Sequence, residues 1–259
     1  MKRVSGIIMF FFFTFSFLAA QDAKEIVRRA YEKINGEKSS FAKMSMTIIR
    51  PEWERTLEFK SWTRETRYAL TVITSPARDK GQAYLKRGSE MWNWNPEISR
   101  MIKLPPSMMS QGWMGSDYTN DDILEESSLV EDYKHEITGE EEIDGRQCYK
   151  VRMVPKKDAT VIWGHQIRWI SKENDLFLRA ELYDEVDYLV RTELGKEIKT
   201  MDGRLIPTRL EIIPEDEKGH KTIVEIEEII FNIPVEESFF SQQNLQRSGR
   251  LVNKDYKYE

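Results

Sequence analysis

The 259-residue chain reads as a mainly-β protein, a single antiparallel meander behind one amphipathic helix. Three observations predict this. A helical period occurs once, near the N-terminus. From Met44 onward, apolar side chains recur at every second position, which predicts about ten or eleven strands. Turn pairs separate those runs: Lys80-Gly81, Arg87-Gly88, Asp144-Gly145, Asn174-Asp175, Asp202-Gly203 and Lys218-Gly219.

The N-terminus carries an export pattern. Lys2 and Arg3 precede an apolar run over residues 6–18, and Ala19-Ala20 then lead into polar Gln21 and Asp22. This is the order of a secretory signal peptide, with cleavage expected after Ala20. The run is shorter than the roughly 20 residues a membrane helix needs. No cysteine follows it directly, so no lipid anchor on a new N-terminal cysteine is expected. Residues 1–20 are set aside as leader, residues 21–246 as one domain, and residues 247–259 as a charged, flexible tail.

Each element then follows in order. Ile26, Val27, Ala30, Tyr31 and Ile34 recur at helical spacing, predicting a helix over residues 22–34. Asp22 and Glu25 resemble a capping box at its start, and Asn35-Gly36 supplies a stop. The first strands alternate Met44, Met46 and Ile48, then Leu57 and Phe59, then Tyr68, Leu70 and Val72, Ala83 and Leu85, and Trp92 and Trp94. Later strands centre on residues 149–153, 161–167, 176–182, 210–212 and 224–226. Strands of this kind have one dry and one wet face. The meander breaks once, at Pro105-Pro106, since neither proline donates to a ladder. Short helical pieces are expected over residues 107–113 and 119–125, the second capped by Thr119 with Asp121 and Asp122 at its positive end. A last helical turn is expected at residues 236–240.

Charge and cysteine content narrow the function. The formal charge is −5, and loss of Lys2 and Arg3 with the leader makes it −7. That balance argues against nucleic acid, whose phosphates require clustered Lys and Arg. Cys148 is the one cysteine, so no internal disulfide forms and the residue is expected in the core. Roughly 240 residues after cleavage suffice for an ordinary hydrophobic core.

The candidate site lies in residues 92–123. Trp92, Trp94, Met101, Met108, Met109, Trp113, Met114 and Tyr118 gather there around the double proline. Thioethers bend and indoles are broad, which suits a surface receiving a flexible apolar ligand. Gly112 and Gly115 flank Trp113 and Met114, as a hinge or as ordinary turn glycines. One helix is little cover for so many strands, so part of the dry face is expected to stay open as a cavity.

Two segments carry a family likeness. KLPPSMMSQGWMGSDYTNDD (residues 103–122) and FNIPVEESFF (residues 231–240), with the leader, first helix and meander, resemble the LolA-like lipoprotein-sorting proteins of Gram-negative-type bacteria. The resemblance covers nearly the whole chain after the leader. It implies an incomplete, half-open β-barrel wrapped round a short helical lid, residing in the periplasm. It also implies an apolar concave surface that carries acyl chains without catalysis or cofactor. Lipid or lipoprotein cargo, and a protein partner at the inner and outer membranes for loading and release, follow from it.

Other chemistry finds little support. Asp117, Asn120, Asp121 and Asp122 miss the EF-hand spacing. His135, His165 and His220 are scattered without zinc spacing, so no metal is expected. Neither G-x-S-x-G nor a P-loop occurs. Glu140, Glu141 and Glu142 read as a solvated hairpin end. The expected function is a periplasmic, chaperone-like lipid or lipoprotein carrier; the alternative is an envelope sensor or accessory domain that binds a regulator or a transporter.

Overall fold

The computed structural model describes residues 13–35, 38–65, 67–120, 122, 129–159 and 161–253. Helix α1 spans Phe13–Asn35. Thirteen strands follow: β1 Ser39–Arg50, β2 Trp53–Arg64, β3 Tyr68–Ser75, β4 Ala83–Arg87, β5 Glu90–Asn95, β6 Arg100–Lys103, β7 Tyr133–Ile143, β8 Arg146–Pro155, β9 His165–Ser171, β10 Phe177–Tyr183, β11 Leu189–Met201, β12 Arg204–Pro214 and β13 Lys221–Phe231. Helices α2 Gln242–Gln246 and α3 Gly249–Val252 end the described chain.

All strands join one antiparallel sheet in the order β6-β5-β4-β3-β2-β1-β13-β12-β11-β10-β9-β8-β7. Two meanders are joined where β1 pairs with β13, Met44 facing Ile226 and Met46 facing Val224. Strands β6 and β7 remain as edges, so the sheet curves into a barrel that does not close. The count exceeds the expected ten or eleven because β6, β7 and β11 lack an apolar alternation strong enough to announce a strand.

The hairpins form where the turn pairs predicted. Asp144 and Gly145 take φ of 47° and 76°, and Asp202 and Gly203 take 46° and 76°. Both central residues are left-handed, as the two-residue turn matching strand twist requires. Cys148 is fully buried and free.

Helix α1 differs from the expectation at its start. It already runs at Phe13, so Asp22 is interior and caps nothing. The Phe, Leu and Ala that precede it continue the helix without a break signal. Glu25 instead accepts from Arg28 one turn on. Ala23, Ile26, Val27, Ala30 and Tyr31 bury against Tyr133, Val151, Met153 and Ile170, closing the β7–β9 side of the barrel. Residues 1–12 and Gly36 of the expected leader and helix stop lie outside the described residues.

The opposite face of β2–β5 is covered by the C-terminal segment. Trp62, Leu70, Leu85 and Trp92 pack there with Phe240, Leu245 and Val252. A 3-10 turn at Glu237–Phe239 stands where a helical turn was expected. Residues 248–252 are not the loose tail the sequence predicted. Ser248 is fully buried and donates to the Gly81 carbonyl at 2.8 Å, and the Lys60 ammonium donates to the Val252 carbonyl at 2.9 Å. Charge density hid two apolar anchors, Leu245 and Val252, that hold this strap. Residues 254–259 lie outside the described residues.

Candidate functional site: a lidded apolar cavity

The inner face of the barrel encloses a cavity of about 330 Å³. Its floor comes from the β1–β13 junction, where Met44 and Met46 stand beside Val224 and Ile226, with Phe59 of β2 and Leu210 of β12 alongside. Successive side chains of a strand point to opposite faces. That is why the even positions of β1 line the cavity while Phe41 packs outward beneath the strap. Tyr31 and Ile34 of α1 close one side. Trp113 and Tyr118, on the segment joining β6 to β7, close the other.

The cavity is not apolar throughout. Ser61 and Thr71 share a hydrogen bond of 3.1 Å across β2 and β3, and Ser40 pairs with Thr63 at 2.7 Å. Lys86 lines the same wall and is nearly sealed. Arg168 donates to the Gln166 side chain at 3.0 Å and lies over the Phe177 ring.

Residues 104–120 and Asp122 form the lid. Two 3-10 turns, Pro106–Met108 and Trp113–Gly115, replace the single short helix expected after the prolines. The second turn is tight. Trp113 N–H donates to the Tyr118 carbonyl at 2.6 Å, and Ser116 N–H returns to the Trp113 carbonyl at 3.0 Å. Met114 takes φ of 57° and Gly115 of 81°. The lid then starts a helix in which Asp122 accepts from the Thr119 N–H while Thr119 Oγ1 accepts from the Asp122 N–H, a reciprocal cap. Thr119 therefore caps as predicted. Asp121 and residues 123–125 of that expected helix lie outside the described residues.

A buried arginine fastens the lid to the barrel. Arg191 of β11 donates to Asp122 at 2.6 Å, to Glu193 at 2.7 Å and to the Asp117 carbonyl at 3.0 Å. Its guanidinium lies 4.9 Å from the Trp163 ring centre and 5.2 Å from that of Tyr118. Burial works against the charge, but Glu193 and Asp122 outweigh it and raise the guanidinium pKa above the ordinary arginine value. Trp163 Nε1 also donates to Asp122, at 3.2 Å. At the lid's outer end, Asp117 accepts a two-pronged bond from Arg50, 3.0 and 3.1 Å.

Of the predicted ligand contacts, Trp113 and Tyr118 line the cavity. Met108 gives its carbonyl to Asn120, and Met109 packs on Met91 and Leu104. Met114 joins the cluster under Trp113 and accepts from the Tyr84 hydroxyl. Trp92, Trp94 and Met101 stand on the opposite face beneath the C-terminal strap. The carboxylates of Asp117 and Asp122, weighed as a calcium loop, are held by arginines instead. Sequence reasoning missed Arg191 and Glu193 as site residues; charges at alternate, inward positions of a strand were the available signal.

A family model described as an uncharacterized protein matches residues 65–247. Three solved structures share the architecture. A DUF1329 family protein from Desulfovibrio piger is 25% identical, with a TM-score of 0.79 over 88% of this chain and 99% of its own. A LolA superfamily protein from Nitrosomonas europaea is 21% identical, with a TM-score of 0.74 over 86% of this chain and 98% of its own. The chain belongs to the family of that model and has the LolA-like fold. A domain from Vibrio parahaemolyticus described as outer membrane lipoprotein-sorting shares the fold too, at 21% identity and a TM-score of 0.75, over 88% of this chain and 100% of its own. No curated protein matches the sequence. No helix among the described residues is long and apolar enough to cross a membrane.

Proposed function

We propose that this LolA-like chain is a non-enzymatic carrier that holds acyl chains of a lipid or lipoprotein in the lidded cavity and moves them through the periplasm toward the outer membrane. One observation carries the reading. The apolar inner face at Met44, Leu210, Val224 and Ile226 is only half-buried, although α1 and the lid stand on either side of it. A fold that only needed a core would fill that space, because open apolar volume forfeits packing. An acyl chain filling it gains about 0.8 kcal/mol per methylene removed from water. The lid supplies the access that uptake and release require. The basic and apolar N-terminal residues support export, and hand-over calls for a partner at each membrane.

Native mass spectrometry of protein purified gently from a bacterial envelope, with lipid extraction, tests this. A bound species of acyl-lipid or lipopeptide mass, lost in detergent, is the expected result. A clean apo mass with no uptake of added lipid would overturn the carrier reading and direct attention to a protein-binding role.

A further inference from the structure

We propose that Arg168 is the head-group anchor of the cavity, so that the ligand taken there is an anionic amphiphile, an acyl or alkyl chain with a carboxylate or phosphate monoester head. The anchor presupposes the carrier reading and names the ligand class of that same cavity. Arg168 stands on the inner face of β9 and lines the cavity, paired with Val151 of β8 on one side and Ala180 of β10 on the other. Ala180 is too small to cover a guanidinium, and Arg168 stays half-buried.

The charge of Arg168 has no counter-charge among the described residues. Of the acids that line the cavity, Asp122 and Glu193 are held by Arg191, and Glu65 stands by Arg64. Arg179, the next arginine of the wall, is paired with Glu181. Arg168 has neutral contacts instead. The Gln166 side-chain oxygen accepts from its Nε at 3.0 Å and its Nη2 at 2.9 Å, and the Phe177 ring centre lies 5.2 Å from the guanidinium carbon. A guanidinium carries five N–H donors and cannot shed its proton. Both N–H groups of Nη1 lack an acceptor among the described residues. A cation in an apolar wall is unfavourable without a partner, and a ligand that brings an anion supplies one.

Gln166 sets the guanidinium in place. It is buried, and its amide nitrogen donates to the Tyr133 hydroxyl at 2.9 Å. That bond fixes the amide with its oxygen toward Arg168. Gln166 occupies the Nε–Nη2 edge of the guanidinium, so the Nη1–Nη2 end remains. Two parallel N–H groups at that end match the two oxygens of a carboxylate or a phosphate. From Arg168 the inner face runs through Leu182 of β10 and Leu210 of β12 to Ile226 of β13 and Met44 of β1. A head at β9 and a tail over the β1–β13 floor put each half of an amphiphile against matching chemistry.

Isothermal titration of the lipid-stripped protein with dodecanoate, dodecyl phosphate and dodecanol tests this, since the three share one chain length and differ in the head. At least one anion should bind at least about tenfold more tightly than the alcohol, the gain expected of a charge-assisted bond. The tighter of the two anions names the head. In Arg168→Met that ratio should fall to about one, and Arg168→Lys, which keeps the charge without the planar fork, should retain part of it. Equal binding of anions and alcohol by the wild type, or a ratio kept whole in Arg168→Met, would overturn the anchor and leave the carrier reading standing. Binding of none of the three would overturn the carrier reading, and the anchor with it.

Discussion

Arg191 Nη1 lies 2.6 Å from Asp122 Oδ2, with both side chains almost wholly out of solvent. This bond ties the centre of β11 to the lid. Removing one partner of a buried pair strands the other charge, which costs more than the pair itself contributes. Arg191→Met leaves Asp122 and Glu193 buried without a counter-charge. A loss of about 3–5 kcal/mol in urea unfolding is expected, with faster proteolysis of residues 104–122. A change under about 1 kcal/mol would mean the cluster is solvated and the lid is held elsewhere.

The cavity floor makes a second test. Met44 and Ile226 face each other across the β1–β13 seam and are half-buried. Met44→Glu puts a carboxylate against the apolar wall, and Ile226→Trp fills the space. Both should weaken uptake of a fluorescent fatty acid at least about tenfold, the loss of a little less than two methylenes of burial. Met109→Glu, off the wall, should leave binding within about twofold. Equal losses in all three variants would relocate the ligand.

Gly112 is required by a close approach. A Cβ added there would stand 2.5 Å from the Ser116 carbonyl oxygen, inside the turn that presents Trp113. Backbone cannot yield as a side-chain end does. Gly112→Ala should cost about 1–3 kcal/mol and shift Trp113 fluorescence. The same stability with an unchanged spectrum would show that the turn relaxes freely.

Stability should fall on mild acidification. Burial holds the His135 imidazole below its ordinary value despite its bond to the Leu129 carbonyl, and burial and Arg152 do the same for His165. The folded state thus keeps both rings neutral where the unfolded chain takes up protons. Above the ordinary histidine value of 6.5 neither state gains; below it stability declines until the folded rings protonate. Glu131, lowered mainly by its bond from Lys24, acts in a lower window, losing its small contribution below 4.5. Urea midpoints from pH 8 to 5 should fall, and less so in His135→Gln. A flat profile would sink this account.

The elements most legible in the sequence were those whose two faces differ in polarity. Met44, Met46 and Ile48 opposite Leu57 and Phe59 announce β1 and β2, because their inward positions are apolar: Met44, Met46 and Phe59 line the cavity, and Ile48 and Leu57 pack in the cluster under Trp113. Strand β11 did not announce itself. Its inward positions are Arg191, Glu193 and Gly195, which serve the lid and the cavity wall, so no apolar period survives. The methionines around Pro105 attracted the binding prediction by proximity in sequence. Sequence neighbours on a lid and on a strand point different ways, and Trp92 and Met109 went to other packing surfaces.

The sequence by itself determined the class of fold, the turns and the open face: alternation of period two, left-handed turn pairs and a shortage of helix leave few other solutions. Only the tertiary structure decided which side chains meet. Asp122 finds Arg191, Asp117 finds Arg50, and Val252 finds Lys60 across long stretches of chain. Such meetings follow from register and from the curvature of a thirteen-stranded sheet, and local spacing carries no trace of either.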